Sequence, residues 1–170
     1  HVGILGMPGA TAYGMVTENV KQGDVVVCTA SAGVVGSATA ILAKRHGARF
    51  VIGFAGSDQK CALAVEKFGY DICINYHKFD DIADTDEEKA HALQNELKDI
   101  LHKHKFSGID VYFDLVGGFI TQSMWNLLNP NASAIIVGQI DEYSDEKTRM
   151  IPSFLSRLIY KAIRVQGYIV

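Results

Sequence analysis

Short apolar, β-branched runs alternate with longer amphipathic segments along this chain. The runs at 24–29, 49–54, 71–75, 109–114, 132–138 and 164–170 have the length and Val/Ile-rich character of buried strands. Between them, segments 35–46, 58–68, 86–105, 118–128 and 152–161 carry apolar positions at helical spacing, and a further helix is expected at 9–20, ahead of the first strand. Regular strand–helix alternation predicts an α/β fold: a doubly wound, parallel, six-stranded sheet covered by helices on both faces. Gly47, Gly69 and Gly108 fall where helices must stop and strands begin, and are read as helix terminators. The stretch from Asp80 to Lys89 is polar and acidic, a solvated loop running into a first helical turn.

Composition narrows this picture by exclusion. A chain of 170 residues has the length of one domain, and 48% hydrophobic residues suffice for a sizeable core. The net charge of −3 supplies no long-range field to attract nucleic acid or an anionic membrane, so neither is expected as a partner. No apolar run is long enough to span a bilayer. Cys28, Cys61 and Cys73 lie far apart, with neither zinc-ligand nor redox spacing. They read as free thiols in a reducing, cytoplasmic setting. The chain opens on His1-Val2-Gly3-Ile4-Leu5, which reads as the interior of something longer.

The chemistry concentrates at one turn. Cys28-Thr29-Ala30-Ser31-Ala32-Gly33-Val34-Val35-Gly36 joins the first strand to the helix at 35–46 through small residues. This is where a Rossmann fold holds a dinucleotide pyrophosphate, on N–H groups at a helix start that small side chains leave accessible. The usual G-x-G-x-x-G would fall on positions 31, 33 and 36, and Ser31 replaces its first glycine.

The end of the second strand then selects the nucleotide. An NAD-reading domain places an acid about 20 residues beyond the glycine turn, for the ribose hydroxyls. No acid stands at positions 51 to 55; Ser57 and Lys60 follow instead, at the next helix start. A hydroxyl, a cation and free helix N–H groups suit a 2′-phosphate, which favours NADP(H). Ser57 also reads simply as an N-cap and Lys60 as a surface cation, with Asp58 close by as a counter-charge. Tyr76, after the third strand, suits either stacking at the adenosine end or a half-buried aromatic. Asp114-Leu115-Val116-Gly117-Gly118 and Val137-Gly138-Gln139-Ile140 end the fourth and fifth strands, on the side where a nicotinamide would run. No nucleophile-and-base pair stands out, so no catalytic residue is assigned. His91, His102 and His104 read as solvent-facing, His46 as a helix-end cation, and no metal site is expected.

With these residues in hand, the chain resembles the zinc-independent medium-chain dehydrogenase/reductases, nearest the branch of prostaglandin reductase (leukotriene B4 12-hydroxydehydrogenase) and alkenal double-bond reductase. The likeness rests on Gly6-Met7-Pro8-Gly9-Ala10-Thr11-Ala12-Tyr13, Ala30 to Ser37, Gly56-Ser57-Asp58-Gln59-Lys60, Asn75-Tyr76, Phe113 to Gly118 and Val165-Gln166-Gly167-Tyr168. It implies that residues 1–170 are the NADP-binding domain of a two-domain subunit about twice as long, lacking most of the substrate-binding domain. It carries the pyrophosphate site onto Ala32, Gly33, Val34, Val35 and Gly36, and the 2′-phosphate site onto Lys60 and Tyr76. Gly138, Gln139, Ile140 and Tyr143 would form the loop after the fifth strand. Tyr168, Ile169 and Val170 would lie along the nicotinamide, with Met7 near it. A homodimer through the sheet edge at 164–170 is also implied. The chain departs from the family at Leu115, where relatives carry asparagine, and at Gln139, where they carry a small residue. The region Leu5-Gly6-Met7 lacks the cysteine that zinc-dependent relatives place there.

The implied activity is NADPH-dependent reduction of an activated carbon–carbon double bond in an enone or enal, a small-molecule substrate. A quinone oxidoreductase of the same superfamily and a non-catalytic NADP-binding module are the alternatives. A methyltransferase is disfavoured by the missing acid after the second strand.

Overall fold

A computed structural model of the chain describes residues 5–140 and 154–169. Its strands are β1 (Val25–Cys28), β2 (Phe50–Ala55), β3 (Ile72–Asn75), β4 (Ile109–Asp114), β5 (Leu128–Ile136) and β6 (Arg164–Gly167). Its helices are α1 (Met7–Asn19), α2 (Val34–Arg45), α3 (Asp58–Phe68), α4 (Asp86–Lys103), α5 (Gly118–Met124) and α6 (Leu155–Lys161), with a 3₁₀ turn at Tyr76–Phe79. The strands form one sheet in the order β3-β2-β1-β4-β5-β6, every pairing parallel. This is the doubly wound Rossmann arrangement that the alternation predicts, and the order reverses beside β1.

Every residue of β1 and β2 is buried, because helices cover both faces of the sheet. Alternation along the strands divides the core in two. Val25, Val27, Ile52 and Phe54 pack with Leu93 and Leu97 of α4 and Ile120 and Met124 of α5. Val26, Cys28 and Val51 pack on the other face with Met15 and Val16 of α1, Ala40 and Ala43 of α2 and Ala64 of α3. A fully buried branched side chain in such a layer contributes about 1.5–3 kcal/mol. The small residues of α2 let its axis lie close against the strands.

The sixth strand ends at Gly167 rather than 170, the first helix starts at Met7 rather than 9, and two further boundaries and two single residues differ from the sequence reading. The fifth strand starts at Leu128 rather than 132, so α5 stops at Met124 and not near 128. Leu128 pairs with Ile109, whose N–H donates to Leu127 O at 2.9 Å, and this commits the chain to the sheet early. Pro130 and Asn131 then sit in a register shift of β5, Asn131 at φ 63°. Gly108 does not end α4; Lys105, at φ 59°, makes that turn. Gly108 is needed for close approach instead, since a Cβ there would lie 2.5 Å from Leu127 O. His104 is not solvent-facing but half-buried, with its ring 4.5 Å from Phe50 and 5.9 Å from Phe106.

Candidate functional site

The turn between β1 and α2 is built to approach something closely. Ser31 is fully buried, and its N–H and hydroxyl both donate to Phe54 O, at 2.9 and 3.0 Å. The serine in place of the first glycine therefore fastens the turn to β2. Gly33 N–H donates to Ala30 O at 2.8 Å, and a Cβ on Gly36 would lie 2.3 Å from that same carbonyl oxygen. Tyr70 locks the far side, its hydroxyl donating to Gly36 O at 2.7 Å. Burial pushes the Tyr70 phenol well above its ordinary range, so it remains a donor.

Helix α2 starts from this turn without a side-chain cap and without an acid in its first turn. By contrast, Ser57 caps α3 ahead of Asp58, and Thr85 with Glu88 forms a capping box on α4. The first N–H groups of a helix have no intrahelical acceptor, and their dipole favours negative charge. At α2 nothing within the helix itself answers that charge.

Beside this helix start runs an apolar cavity of about 480 Å³, along the carboxyl ends of the strands. Met7, Pro8 and Thr11 of α1 form one wall; Ala30, Gly33, Val34, Val35 and Gly36 form the floor. Leu115 after β4, Val137, Gly138 and Ile140 after β5, and Tyr168 and Ile169 after β6 complete it. Among the described residues no charged side chain lines it, and what they offer an anion here is backbone N–H groups. The volume lies within the ordinary range of about 300–1,000 Å³ for small-molecule sites.

Of the residues expected at a cofactor, this cavity brings together Met7, Gly33, Val34, Val35, Gly36, Gly138, Ile140, Tyr168 and Ile169. Ala32 is half-buried in the turn but is not in the wall. Gln139 directs its amide to Asp114, donating to Oδ2 at 2.9 Å. Tyr143 and Val170 lie outside the described residues. Ser57 and Lys60 open α3 apart from this cavity, and Tyr76 lies against Gly56 at the end of β2. Ser57 Oγ accepts from Lys60 N–H at 3.3 Å, and a Cβ on Gly56 would lie 2.9 Å from the Tyr76 hydroxyl. Asp58, the counter-charge of concern, accepts from the Asn75 amide at 2.8 Å.

Asp114, placed by the sequence only at a strand end, has a role there that sequence reasoning missed. It is fully buried at the end of β4 and accepts four hydrogen bonds. Val116 N–H (3.1 Å) and Gly117 N–H (2.9 Å) donate to Oδ1; the Thr121 hydroxyl (2.5 Å) and the Gln139 amide donate to Oδ2. One carboxylate thus ties the turn after β4 to the loop after β5, both of which border the cavity. An aspartate ending a strand before Val-Gly-Gly is the available signal, but its partner at 139 is a tertiary fact. Among the described residues, no group of three or more His, Cys, Asp or Glu is placed to hold a metal ion.

Fold and cleft together define a Rossmann-type domain with an apolar cleft at the sheet's carboxyl edge. More specifically, the chain belongs to the zinc-binding dehydrogenase family, whose model matches residues 34–170. It is 37% identical over 172 residues to (+)-pulegone reductase of Mentha piperita, covering 100% of this chain and 45% of that protein. It is 33% identical over 175 residues to the NADPH-dependent curcumin reductase of Escherichia coli (strain K12), covering 99% and 46%. The crystal structure of CurA from Vibrio vulnificus in complex with NADPH is similar at a TM-score of 0.81 and 34% identity, covering 99% of this chain and 47% of that one. Prostaglandin reductase 1 and a 2-alkenal reductase are also among its relatives, so the resemblance drawn from the motifs holds. The chain spans about half the length of the curated relatives it matches.

Proposed function

We propose that this chain is the cofactor-binding half of an NADPH-dependent reductase that acts on the activated carbon–carbon double bond of an enone or enal. The observation that carries the reading is the uncapped start of α2 opening on an apolar cavity at the sheet's carboxyl edge. Relatives named for pulegone, curcumin, 2-alkenal and prostaglandin reduction support it, as does the half-length match to each. The remaining substrate-binding half would lie elsewhere in a two-domain subunit.

The residues divide by the part of NADP(H) they would hold. Ala32, Gly33, Val34, Val35 and Gly36 offer backbone N–H groups to the pyrophosphate. Ser57, Lys60 and Tyr76 suit the 2′-phosphate, a cation and hydroxyls beside a helix start. Met7, Gly138, Gln139, Ile140, Tyr143, Tyr168, Ile169 and Val170 would flank the nicotinamide. When bound, NADPH supplies the hydride. The chain's own contribution is to orient it and, with Leu115, Val137 and Ile140, to keep water from one side of the cleft. Asp114 holds the two cavity-bordering loops in register through Gly117 and Gln139.

A homodimer through the sheet edge fits β6, which among the described residues pairs with β5 alone, beside the exposed Ile159, Tyr160 and Val165. Three free cysteines suit a reducing, cytoplasmic setting. NADPH oxidation by the full-length protein, followed with enals, enones and quinones, tests the activity. Turnover of enals or enones with NADPH, and far less with NADH, is expected. Turnover of quinones alone would make it a quinone oxidoreductase. Tight NADPH binding with no turnover would make it a binding module.

A further inference from the structure

Cys61 and Cys73, twelve positions apart in the chain, are brought together where α3 packs on the edge strand β3. Ile72 and Ile74 of β3 face the layer that α4 and α5 cover, so Cys73 between them faces the opposite layer, under α3. Cys61 closes the first turn of α3, its N–H donating to Ser57 O at 2.9 Å. With Ala64, three residues on, it forms the buried side of that helix. Both cysteines are free thiols. Burial, and after it a hydrogen bond with the Cys61 thiol, push the Cys73 thiol above its ordinary range. The two sulfurs are therefore neighbours, one carried by a helix and one by a strand.

The third cysteine is kept out of this pair. Cys28 and Cys73 both stand in register with Gly53, on the two strands that flank β2. Two strand spacings separate their Cα atoms by roughly 10 Å, beyond the limit of about 7 Å for a disulfide. The space over Gly53 is also filled. A Cβ there would lie 2.3 Å from Ser31 Oγ and 2.7 Å from Cδ1 of Tyr70, whose hydroxyl is pinned on Gly36 O. Cys28 is fully buried, whereas Cys73 is half-buried on a strand that, among the described residues, pairs with β2 alone. A solute as small as hydrogen peroxide reaches Cys73 from that edge and does not reach Cys28.

We propose that Cys61 and Cys73 are a dithiol site that a peroxide oxidant closes to an intramolecular disulfide, linking the first turn of α3 to β3. One thiol, having lost its proton, attacks a peroxide oxygen. The O–O bond breaks, a sulfenic acid forms, and the other oxygen leaves as water after taking up a proton. The neighbouring thiol then attacks the sulfenic sulfur. The S–S bond forms, and the sulfenic oxygen leaves as a second water with the neighbour's proton. In sum the two sulfurs lose two electrons and two protons, and one peroxide becomes two waters. The site is independent of the NADP(H) reading, since neither cysteine lines the apolar cavity.

Peroxide treatment of the full-length protein, reduced beforehand, tests it. Remaining thiols are alkylated in denaturant, and the peptides are mapped by mass spectrometry without reductant. The expected product is one linked pair of peptides carrying Cys61 and Cys73, lighter by two hydrogens, with Cys28 alkylated. Linkage should form faster at about pH 9 than at about pH 7, because the thiolate is the nucleophile. Dithiothreitol should restore both thiols. Cys28→Ser should form the same link at a rate within about twofold of wild type, since Cys28 takes no part in the exchange. Absence of the Cys61–Cys73 link after overnight treatment at about pH 9 would overturn the proposal, as would irreversible oxidation of either thiol in place of the link. A link from either thiol to Cys28 would overturn it equally.

Discussion

Replacing Gly36 by alanine puts two physical effects in direct opposition. Gly36 lies in the first turn of α2, with no left-handed φ to favour glycine. On helix propensity alone, the substitution would stabilise the protein by about 1 kcal/mol. The added Cβ, however, would sit 2.3 Å from Ala30 O, 2.9 Å from Ala30 C and 3.0 Å from Ser31 Cα. All three are backbone atoms, so no side chain can swing aside. The turn is also pinned, by Ser31 on Phe54 O, Gly33 N–H on Ala30 O and Tyr70 on Gly36 O. Overpacking against fixed atoms costs about 1–3 kcal/mol, and loosening one of these hydrogen bonds about 1 more. The net expectation is a loss of about 1–3 kcal/mol. For a domain of this size that lowers Tm by roughly 2–12 °C. Thermal unfolding followed by circular dichroism reads the sign directly. The same variant should bind NADPH at least about tenfold more weakly, because the N–H groups of the first turn move with the backbone. An unchanged or raised Tm would refute the close-packing account of this turn.

Lys60→Ala should weaken NADPH by about tenfold to a hundredfold and NADH by less than about twofold, as befits loss of one charge-assisted contact to the 2′-phosphate; equal losses in titration calorimetry would reject Lys60 as the reader. Asp114→Ala strands four donors around a fully buried position and should destabilise the protein by about 3–5 kcal/mol in urea unfolding, whereas a value under about 1 kcal/mol would deny Asp114 its place as the link between the two loops. Cys28 is fully buried and burial pushes its thiol up to about 12, so alkylation at about pH 8 should spare it until the protein unfolds. The sign for stability follows: the folded state holds the proton longer than the unfolded thiol at 9.0, so this contribution is whole below pH 9 and is lost as pH rises toward 12. A Cys28→Ser variant whose high-pH stability loss matches the wild type would show another group to be responsible.

The legible part of this protein was local. Runs of β-branched residues, helices with small or apolar faces, and a turn of glycine and alanine can each be recognised within a dozen residues. Their alternation restricts the chain to a parallel sheet with helices on both faces. The absence of an acid at 51–55, with Ser57 and Lys60 following, was equally readable, because the ribose end of a nucleotide is met by a single strand end. Boundaries were less so where partners lie far away. Nothing near Leu128 announces a strand; its pairing with Ile109 decides it. His104 looks like one more polar position on a charged helix until Phe50, over fifty residues earlier, is brought against its ring.

The sequence by itself determined the class of fold and the position of the glycine turn, and it raised the expectation of a 2′-phosphate at the second strand end. Only the tertiary structure decided why position 31 can be serine, which loops Asp114 joins and which ring lies over Gly56. Local preference is written in neighbouring residues, through backbone dihedrals and the period of burial. A site is written in contacts between residues such as Ser31 and Phe54, or Asp114 and Gln139, whose value appears only when the sheet places them within hydrogen-bonding distance.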